Sequence, residues 1–164
     1  MIRPSRALLS AMSMYFHLRA VPPSTLRTEA TWLRQLFEDD WDTVRERIGR
    51  HREEVLDKGY LDHELLYTGT DVVLGGRPAY SPEPDTPPFL LLTVAETAQV
   101  AAFLTSADFE ALWRAARAEL LPRYGGPEWE TQARAFFAAA HRDLTAFYTQ
   151  TARYGDTVVK WLVR

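Results

Sequence analysis

The chain has 164 residues, 46% hydrophobic and 25% charged, the balance of one folded domain and not of a disordered segment. A formal net charge of -3 supplies no basic surface for nucleic acid, and no apolar run approaches the ~20 residues of a membrane-spanning helix. Without cysteine there is no disulfide framework, no thiolate nucleophile and no cysteine metal site, which fits a reducing cytoplasm.

Residues 1–11 read as a disordered extension or a misassigned start, ahead of a single domain over 12–164. Residues 13–21 alternate as a strand: Met14, Phe16, Leu18 and Ala20 face one way, and Tyr15, His17, Arg19 and Val21 the other. Pro22-Pro23-Ser24 ends it, and Ser24 is placed to cap a helix with Leu26, Ala30, Leu33 and Phe37 inward. Asp39 and Asp40 open a second helix, whose apolar positions Trp41, Val44, Ile48 and Val55 carry it past His51. A short third helix spans Tyr60 to Tyr67 and stops at Gly69.

The proline-rich stretch 75–88 reads as a stiffened surface loop, and Phe89–Leu92 as a short buried strand. Thr93-Val94-Ala95-Glu96 has the form of a capping box opening a helix to about Leu104. Ser106 starts the next, with Phe109, Trp113, Ala116 and Leu120 on one face, and Pro122 ends it. A long helix from about Glu128 to Arg153 and a final strand, Thr157–Val163, complete the chain. Strands at both ends with helices between predict an α/β domain, a small mixed sheet with helices packed on it.

Several chemistries are excluded. Gly69–Gly76 superficially resembles a phosphate loop, but five residues separate its glycines and Gly-Arg follows where Lys-Ser/Thr is needed. Neither a dinucleotide Gly-x-Gly-x-x-Gly nor a Gly-x-Ser-x-Gly elbow is present, so no cofactor is expected. The histidines, at 17, 51, 63 and 141, lack metal-ligand spacing, and His51 and His141 read as semi-buried packing residues. Glu53, Glu54 and Asp57 read as a solvated helix face ahead of an acid/base pair.

Two polar clusters remain. Tyr15, His17 and Arg19 share a strand face, and read either as an anion or carboxylate site or as the outward face of an edge strand. Lys58, Tyr60, His63, Glu64, Tyr67, Thr68 and Gly69 either line a pocket or, at Thr68-Gly69, cap a helix. Arginine fills every one of the 19 basic positions except Lys58 and Lys160, which draws notice to Lys58.

Read in order, Met12–Phe16, Asp57-Lys58-Gly59-Tyr60 through Tyr67-Thr68-Gly69-Thr70, Val73–Gly76, Leu92–Glu96 and Tyr154–Val159 resemble the motifs of the YfbM-like family. That is a bacterial domain of unknown function, and the resemblance implies a single α/β domain, a three-layer sandwich, with no assigned reaction. Where the family has Trp and then His four residues later, this chain has Tyr60 and Glu64, with His63 one position early. Carboxylate for imidazole changes both pKa and hydrogen-bonding role, which argues against catalysis at that position.

The expected function is therefore non-catalytic binding or protein interaction, with an unknown protein partner or small ligand. The rival is a small-molecule enzyme whose pocket joins His17, Arg19, Lys58, Glu64 and Thr68. A homodimer through a strand edge is the third reading.

Overall fold

The computed structural model describes residues 14–57, 59–81 and 87–163. The extension 1–11, Met12, Ser13 and Lys58 lie outside the described residues, as do Pro82 and Pro84. Strands β1 (Tyr15–Val21), β2 (Glu53–Leu56), β3 (Arg77–Pro78), β4 (Leu90–Leu92) and β5 (Thr157–Val163) form one sheet in the order β2-β1-β5-β4-β3. The helices are α1 (Ala30–Glu38), α2 (Trp41–Ile48), α3 (Tyr60–Leu66), α4 (Val94–Ser106), α5 (Phe109–Leu120) and α6 (Glu130–Arg153).

Alternation along the central strands β1 and β5 builds two cores. Phe16, Leu18, Ala20, Val158 and Leu162 meet Leu66, Leu104, Trp113, Phe137 and Leu144 of α3–α6. On the opposite face Val21, Val159 and Trp161 meet Leu33, Phe37, Val44 and Ile48 of α1 and α2. The result is the expected α/β domain with three layers, helices covering both faces of the sheet. Every strand pairing is antiparallel, so the sheet is not of mixed direction as expected.

Local chemistry explains where the sequence reading departs from the structure. Gly49 takes a left-handed φ of 70° and ends α2 six residues before Val55. Residues 53–56 then become β2, pairing with β1, so Glu53 and Glu54 point to opposite faces of a strand and His51 is exposed in the loop. Pro22 to Leu26 is a turn, with the Leu26 amide bonded to the Pro22 carbonyl, and α1 starts only at Ala30 without a side-chain cap from Ser24.

Asp108, not Ser106, caps α5 by accepting from the Glu110 amide. The stretch 75–88 is not all loop, because its start pairs as β3 with β4 and the Ala79 amide donates to the Phe89 carbonyl at 2.8 Å. The capping box of α4 is present in both directions. At the mouth of β5 the buried Asp156 accepts from Arg50 Nε at 2.7 Å and from Arg52, which ties the approach to β2 onto the sheet.

Candidate functional site

The first sequence cluster lies between the sheet and α1. Register places Glu53 of β2 opposite Arg19 of β1, and the Glu53 carboxylate accepts from Arg19 Nε at 2.5 Å and lies 3.2 Å from His17 Nδ1. Arg19 is only 4% exposed and also donates to the Leu36 carbonyl of α1. Its guanidinium stacks 4.3 Å from the Trp41 ring centroid and 4.9 Å from that of Phe37. Burial lowers its pKa from the usual arginine value, against the pull of Glu53. Burial alone would raise Glu53, but His17 and Arg19 hold it below the usual carboxylate range. Arg19 thus staples a helix to the sheet, His17 is half-buried beside it, and Tyr15 at the strand's start is exposed.

The second cluster lies across the sheet, on the α3–α6 side. Tyr60 stacks flat on Phe16 with centroids 4.9 Å apart, and His63 is buried against Phe136 and Phe137, where burial lowers its pKa. Glu64 reaches the loop after α3 and accepts from the Val73 amide at 3.1 Å and the Leu74 amide at 2.5 Å. Thr68 donates to the Leu65 carbonyl and Gly69 takes φ 84°, so this pair terminates the helix. The Tyr67 hydroxyl is buried against His141 Nδ1 at 2.8 Å.

The same loop is gripped from its other side by a residue that sequence reasoning missed. Lys160 of β5 is fully buried, and its ammonium donates to the carbonyls of Val72, Val73 and Gly75 at 3.0, 2.9 and 2.8 Å. Burial pushes its pKa down to about 7, opposed by Glu64, Asp71 and Glu96. A side chain at Gly75 would put Cβ 2.2 Å from the Asp71 carbonyl oxygen, so the tight path around the ammonium requires glycine.

Neither cluster lines a large apolar concavity found among the described residues. That is a groove of about 740 Å³ at the end of the sheet where β4 passes into α4. Pro23 and Leu26 wall it from the β1–α1 connection, Arg77 and Tyr80 from the β3–β4 hairpin, and Leu92 and Val94 from the β4–α4 junction. Its lining is dominated by apolar atoms, and Tyr80 and Val94 are among the exposed large apolar residues of the protein. Such a volume suits a small organic molecule.

Comparison with known proteins adds the family. A model described as Domain of unknown function (DUF1877) matches residues 12–161. The chain belongs to that family. No curated protein matches it. Among solved structures, the DUF1877 domain is similar to a protein of unknown function, YfbM from Escherichia coli, at 19% identity and a TM-score of 0.57. That match covers 91% of this chain and 99% of the other, and it shows a shared fold. The YfbM-like resemblance read from the motifs therefore holds.

Within the DUF1877 domain the sequence-predicted residues do not gather. His17 and Arg19 lie on the α1 side of the sheet, while Tyr60, Glu64, Thr68 and Gly69 belong to the α3–α6 side. The pocket joining His17, Arg19, Glu64 and Thr68 is not formed, because the sheet runs between its halves. Lys58, the other member expected there, lies outside the described residues. Lys160 had one signal in the sequence, being one of two lysines in a chain whose other basic residues are all arginine. A tetrahedral ammonium meets three converging carbonyls where a planar guanidinium does not. No helix among the described residues is long and apolar enough to cross a membrane.

Proposed function

We propose that this domain is a non-catalytic binding module of the bacterial cytoplasm, and that the groove at the β4–α4 junction takes a small apolar ligand. One observation carries the reading: the large concave surface and the polar residues suited to catalysis are in different places. None of His17, Arg19, Tyr60 or Glu64 lines the groove, and Arg19 and Glu64 are engaged in internal contacts. What lines it instead is an open, predominantly apolar surface built from three connections, held by the sheet beneath. The absence of cysteine accords with a reducing compartment.

The test uses a neutral fluorescent naphthylamine titrated against the folded protein. Saturable binding of one molecule per chain is expected. Val94→Asp should weaken it about tenfold by placing a charge among apolar atoms. That variant keeps the fold, since Val94 is partly exposed and a carboxylate is favourable in the first turn of a helix. Binding that does not saturate, or that is indifferent to Val94→Asp, removes the groove from the reading.

A further inference from the structure

Among the described residues that line the groove, one charged group is held in no hydrogen bond or ion pair. Arg77 of β3 lines it, is exposed, and makes no ion pair with any described residue. The groove's carboxylate, Glu96, is already engaged: it accepts from the Thr93 amide at 3.0 Å as half of the capping box. Its charge sits beside the positive end of α4, and its pKa is held down by the Thr93 hydrogen bonds, with weaker attraction from Arg77 and Lys160. The Val94 and Ala95 amides, which open the helix in the same wall, have no partner within it. Arg77 therefore brings a cation to an apolar trough, near Glu96 but in no ion pair with it.

Resting on the binding reading above, we infer that the ligand is an apolar molecule ending in a carboxylate, its head on Arg77 and its body along Leu26, Tyr80 and Val94. A guanidinium meets a carboxylate through two parallel N–H donors, a match that neither an alcohol nor an amine reproduces. The apolar walls supply affinity, and Arg77 supplies the choice of headgroup.

The test is competition against the bound naphthylamine by octanoate, octanol and octylamine at one ionic strength. Octanoate should displace the probe at about one-tenth the concentration that octanol requires, with octylamine weakest. Arg77→Gln should erase the advantage of octanoate while leaving octanol unchanged, which also shows that the variant keeps its groove. Should that variant lose octanol as well, high salt applied to the wild type replaces it, and must weaken octanoate alone. Equal displacement by octanoate and octanol, or preference for octylamine, overturns the headgroup assignment and leaves the binding reading standing. Failure of the neutral probe to bind at all removes the reading beneath it.

Discussion

Two cations are buried against opposite faces of the same sheet, and they do different work. Arg19 on β1 meets a carboxylate, a helix carbonyl and two aromatic rings, so it joins three elements that are already regular. Lys160 on β5 meets only backbone carbonyls, all from the irregular segment 72–75, while Glu64 holds amides of that segment from α3. One cation fastens layers together; the other, with its acidic counterpart, gives a loop its shape. That loop runs directly into β3 and Arg77, so the lysine on one side of the sheet positions the groove at its end.

Lys160→Met should have the largest effect. Methionine fills much of the volume but leaves three carbonyls without their donor, and about 4 kcal/mol of unfolding free energy should be lost in urea denaturation. Proteolysis should then cut within residues 70–80, and an uncut, equally stable variant would mean that the ammonium does not shape the loop. Arg19→Met should cost less, about 2 kcal/mol, because Glu53 keeps His17 and is partly hydrated. Its loss should loosen α1, seen as faster amide exchange there with 70–80 unaffected, and exchange spread over both regions would erase the distinction drawn here.

The smallest effect is expected at a carboxylate that has no ion-pair partner among the described residues. Glu54 faces α6, and burial, with Asp143 nearby, pushes its pKa up to about 6. The folded state therefore protonates it at a higher pH than the unfolded state does. Its cost to stability is present in full above pH 6, shrinks as pH falls, and is gone below about 4.5. Glu54→Gln should raise stability by about 1 kcal/mol at pH 7.5, after discounting for partial exposure, and change nothing at pH 4. Thermal melts at the two pH values decide it, and a gain that persists in acid would contradict this assignment.

Much of the architecture was legible because it is written in local pattern. The alternation of Met14 to Val21, the capping box at Thr93 and the stripe of α6 each specify an element without help from distant residues. β2 was not, because Arg52-Glu53-Glu54-Val55 continues a helical charge pattern and only Gly49 marks the break. Of the site, the residues that looked chemical were found, but pattern cannot tell a surface histidine or arginine from one stapled under a helix. The groove escaped altogether: its walls come from three connections far apart in the chain, none of which carries a motif for concavity.

The shortness of β3 has a consequence for the protein in concentrated solution. A sheet that does not close into a barrel leaves two margins of unpaired backbone, each a template on which a neighbouring chain can add a strand. Here one margin is a two-residue strand made of Arg77 and Pro78, and proline offers no N–H to extend a ladder. The other, β2, carries consecutive glutamates. Charge, brevity and a missing donor thus guard both margins, and they oppose the edge-to-edge stacking that seeds fibrils.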